Sequence, residues 1–267
     1  MNIIRKNDYS ALDAPEILSV LFYPRKDDRF GRKRAGSDMM IPVDNQTVVG
    51  ARFYHASKRK PTILFFHGNG EIASDYDDIG PLYGKLGINF IVADYRGYGL
   101  STGRPTVTDM MADCHVIFDY CVKRLDAEGY TGPLVVMGRS LGSASALEAA
   151  YYHADALAGL IIESGFAYML PLLRLIGVPF AALHISEEDG CRNIEKIKRF
   201  EKATLIIHSQ FDQIIPFSDG QALYDASGAS AKRLLMIPGA DHNSIFAYGL
   251  KKYLAAVADF TESLTSS

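Results

Sequence analysis

Near the middle of the chain, the stretch GRSLGS from Gly138 to Ser143 sets a serine between two glycines, after an apolar run and before an alanine-rich one. In the pattern G-x-S-x-G the glycines let a strand and the next helix approach closely, and the serine occupies a strained turn with its hydroxyl exposed. Ser140 is then a nucleophile, or it is the N-cap of a helix that needed small neighbours. A serine hydroxyl is a weak nucleophile at neutral pH, so the first reading requires a base within reach and an acid to orient that base. Among seven histidines, His242 lies in the loop GADHNS just before the closing helical stretch. His67 belongs to the glycine turn HGNG and His208 ends an apolar run, whereas His55, His115, His153 and His184 have no glycine-rich turn beside them. Two acids compete to orient His242: Asp212 in HSQFDQIIP, and Asp241, whose adjacency makes the far ring nitrogen hard to reach. A tetrahedral intermediate also needs two donors. The N–H of Leu141 and the N–H of Asn69 in HGNG are the candidates.

The elements that must position these groups alternate along the chain. Two extended stretches, DMMIPV and TVVGARFYHA, flank the turn at Asp44-Asn45 and predict an antiparallel hairpin. Strands follow at TILFF, INFIVADY, PLVVMG, LAGLIIES, TLIIHS and RLLMIP, with helices over about 106–127 and 140–152 and from near 242 to 261. Such alternation predicts a mostly parallel α/β sheet with helices on both faces. HGNG, GRSLG, HSQFDQIIP and GADHNS all fall at carboxyl ends of strands, where such sheets bind ligands. Between LIIES and TLIIHS lie about forty residues, enough for one or two extra helices over the sheet edge. That interval contains YMLPLLRLIGVPFAAL, Tyr168 to Leu183, whose apolar residues are expected to line a pocket. Phe166, Leu172 and Leu173 are the candidate substrate contacts.

Composition narrows the classes. The 267 residues carry a net charge of −3 with interspersed signs, which gives no electrostatic argument for nucleic acid or an anionic membrane. The one basic cluster, Arg25 to Arg34, is broken by two aspartates and reads as a solvated loop. The three cysteines, Cys114, Cys121 and Cys191, form no CxxC pair and read as reduced thiols of a cytoplasmic protein. No run is long enough to span a bilayer, and the N-terminus lacks a signal-peptide pattern. No metal-ligand spacing or phosphate loop occurs. With no repeat or linker, residues 1–267 are expected to form one domain.

FFHGNG, DYRGYGLSTG, GRSLGS, IIHSQFDQIIPF and GADHNS together resemble the motif series of the α/β-hydrolase superfamily. The likeness is to its small-capped serine hydrolases, related to the serine aminopeptidases and the depalmitoylating α/β-hydrolase-domain proteins, and runs from about Met39 to the C-terminal helix. It implies an eight-stranded sheet, a small cap insertion at about 165–200, and a Ser–Asp–His triad at Ser140, Asp212 and His242. It also implies an oxyanion hole from Leu141 and Asn69, and that the loop carrying Arg96 braces the turn at Ser140; Arg139, inside that turn, reads as a structural ion-pairing residue. Two departures stand out: HSQFDQIIP where the family commonly has HGDRDEIVP, and Asp241 where a glycine is usual. The expected activity is hydrolysis of a small acyl ester or thioester through an acyl-enzyme, with no cofactor. Aminopeptidase or amidase activity, with the acids of SEEDG holding an amino group, is the alternative within the superfamily. A non-catalytic ligand-binding protein on the same fold is the alternative outside enzymology. Nothing in the sequence speaks to oligomeric state.

Overall fold

The computed structural model describes residues 8–28 and 35–265, so the N-terminal MNIIRKN and residues 29–34 of the basic cluster lie outside the described part. The chain opens with a 3-10 turn, Ser10–Asp13, and a short helix α1, Pro15–Leu21, which the strand and helix patterns above did not anticipate. Pro15 starts it without cost, because the first amides of a helix have no partner. The hairpin follows as β1, Ser37–Pro42, and β2, Val48–Tyr54, with Ile41 opposite Val49. Asp44 closes its turn by accepting from the amides of Gln46 and Thr47 at 2.8 and 2.7 Å.

The rest alternates as expected: β3 (Thr62–Phe66), α2 (Gly80–Lys85), β4 (Asn89–Ala93), α3 (Val107–Ala127), β5 (Leu134–Arg139), α4 (Gly142–Tyr152) and β6 (Gly159–Glu163). Two short helices, α5 (Met169–Leu175) and α6 (Asn193–Arg199), then precede β7 (Ala203–Ser209). The chain closes with α7 (Phe217–Ala226), β8 (Lys232–Ile237) and α8 (Ile245–Ser263). Eight strands form one sheet in the order β1-β2-β4-β3-β5-β6-β7-β8, antiparallel at the first two pairings and parallel in the rest. This is the α/β-hydrolase architecture.

Residues on the central strands β3, β4 and β6 are buried on both faces, which explains their unbroken apolar runs. Alternate side chains divide between two cores. Leu64, Phe66, Val136 and Ile162 meet the residues of α1, α3 and α4, whereas Ile63, Phe65, Val135 and Ile161 meet Tyr83 of α2 and Tyr253 and Val257 of α8. Burial pushes the thiols of Cys121 and Cys191 up to about 12, so neither is a thiolate at neutral pH. No helix among the described residues is long and apolar enough to cross a membrane.

One buried carboxylate ties three distant segments together. Glu148 of α4, 1% exposed, accepts from the Tyr9 hydroxyl at 2.8 Å and pairs with Lys196 of α6 at 2.6 Å. Burial works to raise its carboxyl, but His115, Lys196 and Tyr9 outweigh that and lower it from 4.5 to about 2. A depressed folded value means that its contribution is present above pH 4.5 and is lost as the pH falls toward 2. Glu148→Gln is therefore expected to cost roughly 2–4 kcal/mol at pH 7. The gap from wild type should close on acidification over that range, as denaturant melts at both ends would show. A gap independent of pH would mean that the carboxylate charge is not what holds these segments.

Candidate active site

Strand β5 ends at Arg139 and α4 begins only at Gly142, two residues later than the sequence pattern suggests, because Ser140 adopts φ +50°. That left-handed backbone costs a non-glycine residue of order 1–3 kcal/mol and persists only where the surroundings enforce it. They do so through the flanking glycines. A Cβ on Gly142 would lie 2.1 Å from the Phe66 carbonyl oxygen, and one on Gly138 would lie 2.2 Å from the Gly142 carbonyl oxygen. The turn is pinned by Ser140 N–H donating to the Glu163 carbonyl at 2.9 Å and by the Ser143 hydroxyl donating to the Ser140 carbonyl at 2.6 Å. The Ser140 side chain caps nothing, since α4 has no side-chain cap at its N-terminus.

Its hydroxyl faces His242 instead, with Oγ 2.9 Å from Nε2. The other ring nitrogen, Nδ1, lies 2.7 Å from Asp212 Oδ2. With the proton on Nδ1, the ring donates to Asp212 and accepts from Ser140. Asp212 Oδ1 accepts from the amides of Ile214 and Ile215 at 3.0 and 2.8 Å, which fixes the carboxylate on the loop after β7. Burial disfavours its charge, but the ring hydrogen bond and charge of His242 and the Ile215 amide outweigh burial and hold the carboxyl below its ordinary value. Asp241 is engaged elsewhere: it accepts from the Asn243 amide at 2.9 Å, while its own N–H donates to the Ser244 hydroxyl at 2.9 Å. That turn delays α8 to Ile245 and leaves His242 in a loop.

The HGNG turn lies beside the serine. Asn69 Oδ1 accepts from the Tyr98 hydroxyl at 2.7 Å and from the Tyr23 amide at 2.8 Å. Neither the amide of Asn69 nor that of Leu141 donates to another protein group among the described residues. His67, fully buried, bridges the Gly68 carbonyl and Asp94 at 2.8 and 3.2 Å, and the Tyr95 hydroxyl donates to the His67 carbonyl at 2.6 Å. The DYRGYG loop thus supports the HGNG turn, while Arg96 is spent on Asp113 at 2.7 and 2.8 Å. Arg25 also joins this edge, donating to the Gly70 carbonyl at 2.7 Å and pairing with Asp75, so the start of the basic cluster is not a free loop. His208 donates from Nε2 to the Ile215 carbonyl at 2.8 Å and so buttresses the loop that carries Asp212.

Ser140, His242, Asn69 and Leu141 border one cavity of about 300 Å³. Its apolar lining comes from Val20 and Leu21 of α1 together with Leu172, Ile176 and Ile214, and Arg139 and Asn243 add polar groups. A second cavity of about 130 Å³ adjoins it, sharing Leu172 and Ile214, and Phe166 lines this one. Leu173, fully buried, belongs to the core and borders neither cavity, because one residue along α5 turns the side chain from the cleft toward the sheet. Glu163 and Ser164 are each 1% exposed and also border neither, since β6 ends beneath the turn at Ser140. The α1 wall escaped the sequence reading. Its signal was the helically spaced Ile17, Leu18 and Leu21 behind Pro15. No group of three or more potential metal ligands occurs among the described residues.

A family model described as serine aminopeptidase, S33, matches residues 57–185. The chain is similar to the human α/β hydrolase domain-containing protein 17B, with 30% identity over 75% of this chain and 66% of that one. It is also similar to the α/β hydrolase domain-containing protein aho-3 of Caenorhabditis elegans, with 30% identity over 69% of this chain and 53% of the relative. It thus spans between about half and two thirds of the length of these relatives. Among solved structures, an esterase of Pyrococcus furiosus superposes with a TM-score of 0.73 at 15% identity, covering 91% of this chain and 99% of that one. Est1E of Butyrivibrio proteoclasticus, seen with ferulic acid bound, superposes at 0.69 and 17% identity, covering 86% of this chain and all of its own.

Proposed function

The chain belongs to the α/β-hydrolase superfamily, and we propose that it is a serine hydrolase cleaving carboxylic esters or thioesters through an acyl-enzyme. The observation that carries this reading is the unbroken line Asp212–His242–Ser140, with contacts of 2.7 and 2.9 Å. In this reading Ser140 attacks the acyl carbon while Nε2 of His242 takes its proton. The ionised Asp212 holds the proton-bearing Nδ1 and stabilises the imidazolium. The unengaged amides of Asn69 and Leu141 receive the oxyanion, where loss of one donor typically costs about 10²–10³ in rate. His242 then protonates the departing alcohol or thiol, and a water activated by the same nitrogen releases the acid. The route needs no cofactor.

Residues about 165–200, with α5 and α6, act in this reading as a small cap whose Leu172 and Ile176 form the acyl wall. An aminopeptidase reading would need free carboxylates for the substrate's amino group. Glu187 instead accepts from the amides of Met169 and Leu170 at 2.5 and 2.9 Å, and Asp189 from the Ser186 hydroxyl and amide at 2.7 and 2.9 Å. Those two acids are committed to local structure, and Glu188, the third of the SEEDG stretch, lines a different cavity that shares no residue with the one at Ser140, which favours the ester reading.

A fluorophosphonate probe is expected to label the wild-type protein stoichiometrically at Ser140. Ser140→Ala should abolish labelling and lower turnover by at least ~10⁴-fold with the fold retained. Turnover within tenfold of wild type would remove Ser140 from the nucleophile's role.

The two acids separate by substitution. Asp212→Asn should cost about 10³- to 10⁴-fold in kcat, because an amide can hold the wrong tautomer of His242. Asp241→Asn, outside the line, should cost less than about tenfold. The opposite ranking would transfer the orienting role to Asp241.

Acyl preference tests the wall. Each methylene buried in the transition state is worth about 0.8 kcal/mol, close to fourfold in kcat/KM. Over p-nitrophenyl esters from acetate to laurate, short-to-medium chains should therefore surpass acetate. Leu172→Phe should move the optimum toward shorter chains. Leu173→Phe should instead overpack the core, costing roughly 1–3 kcal/mol of stability without moving the optimum. A preference for acetate in both variants and wild type would mean that α5 does not form the acyl wall.

A further inference from the structure

Arg139 precedes Ser140 in the chain, is 7% exposed and borders the cavity beside it. Its donors are spent on three different segments. Nη2 donates to the backbone carbonyl of His242 at 2.7 Å, Nε donates to Glu163 at 3.0 Å, and Nη1 pairs with Glu71. Glu71 uses its other oxygen to accept from the Gly68 amide at 2.8 Å and the Tyr76 hydroxyl at 2.7 Å. Glu163 is completed by the Tyr253 hydroxyl of α8 at 2.7 Å. One planar group therefore links the turn that carries Ser140, the turn that carries Asn69 and the loop that carries His242.

Stability alone is a poor reason for this arrangement. A buried carboxylate–guanidinium–carboxylate set pays heavily in desolvation and is often matched by apolar residues of the same volume. Burial acts against the charge of Arg139, yet Glu71 and Glu163 outweigh it and keep the group protonated. Burial would likewise raise the Glu71 carboxyl, but Arg139 leads the groups that pull it below its ordinary value. What the set provides that apolar packing could not is direction: a rigid fork with fixed angles to a carbonyl and two carboxylates.

We propose that Arg139 is a positioning residue for acyl transfer, which sets the His242 loop and, through Glu71, the Gly68–Asn69 turn at a fixed placement about Ser140. This inference rests on the serine-hydrolase reading. Base and oxyanion donor are then registered by one side chain, so its loss displaces both at once and acts on the transition state more than on ground-state binding.

The test compares Arg139→Lys, Glu71→Gln and Tyr253→Phe in the full chain, with labelling of wild-type Ser140 by a fluorophosphonate as the prior condition. Absence of that labelling would sink the hydrolase reading, and the positioning role with it. Readouts are kcat and KM on the best p-nitrophenyl ester, affinity for an alkylboronic acid that forms a tetrahedral adduct with serine, and Tm. Arg139→Lys keeps the charge but loses the fork; kcat should fall about 30- to 100-fold with KM within about threefold, and boronate affinity should fall in parallel. Glu71→Gln, which removes the charge that links Arg139 to the Gly68 amide but leaves the contact of Arg139 with the His242 carbonyl, should lose about tenfold in both. Tyr253→Phe loosens the far end of the same network, and should lower Tm while leaving kcat within about threefold. If Arg139→Lys does not fold, Glu71→Gln decides. With wild type labelled, the positioning role is overturned by a wild-type kcat in whichever of these two variants decides. It is equally overturned by boronate affinity that stays put while kcat falls, or by kcat losses that follow Tm across all three variants.

Discussion

The contact on which the site depends is the approach of α4 to the ends of β3 and β5. No atom beyond hydrogen fits between the α-carbon of Gly142 and the Phe66 carbonyl, nor between Gly138 and the Gly142 carbonyl. With both glycines in place the backbone passes close enough for Ser140 to be forced to φ +50°, and the hydroxyl is aimed outward rather than along the helix. The strain is local, and very high burial around it holds it: Ala144, Ala146 and Leu147 of α4 are all fully buried. The outward aim of the hydroxyl is thus a by-product of packing two elements more tightly than side chains would allow.

Much of this was legible in the chain itself, for reasons that differ by element. The inner strands were plain because burial on both faces demands uninterrupted apolar runs, as in TILFF and LIIE. The ends of elements were less so. Pattern alone began the helix at Ser140 and the last helix near His242, and the observed starts at Gly142 and Ile245 reflect a left-handed residue and a local turn, which no hydrophobic period encodes. Ser140, His242 and Asp212 could be picked out because each sits in a glycine- or proline-marked turn at a strand end. Leu173 could not be told from Leu172, since adjacent positions of a short helix differ only in which way the backbone turns them.

The remaining parts of the site are tertiary. Val20 and Leu21 lie about 120 residues before Ser140, and nothing in their own neighbourhood announces a cavity. Glu71 and Arg139 are individually unremarkable charges, and Tyr98 is one tyrosine of a glycine-rich loop. Their meaning comes from convergence: the Tyr98 hydroxyl and the Tyr23 amide on one side chain oxygen of Asn69, and the Glu71 carboxylate on the amide next to it. Pairwise spacing cannot disclose such meetings, because the partners are brought together by different strands.

In the proposed hydrolase, the anchoring of the cavity walls would separate reactivity from selectivity. Floor residues belong to strand-end turns locked by the sheet, whereas Val20 and Leu172 ride on short helices laid against it from outside. Tyr9 and Lys196, which lead into α1 and belong to α6, are moored to a single carboxylate on α4. Change in the side chains that Val20 and Leu172 present to the cavity leaves these moorings and the strand-end turns untouched. On the serine-hydrolase reading, two descendants of such a chain could keep the line from Asp212 through His242 to Ser140 and yet diverge in diet, drifting in what they accept without passing through an inactive ancestor.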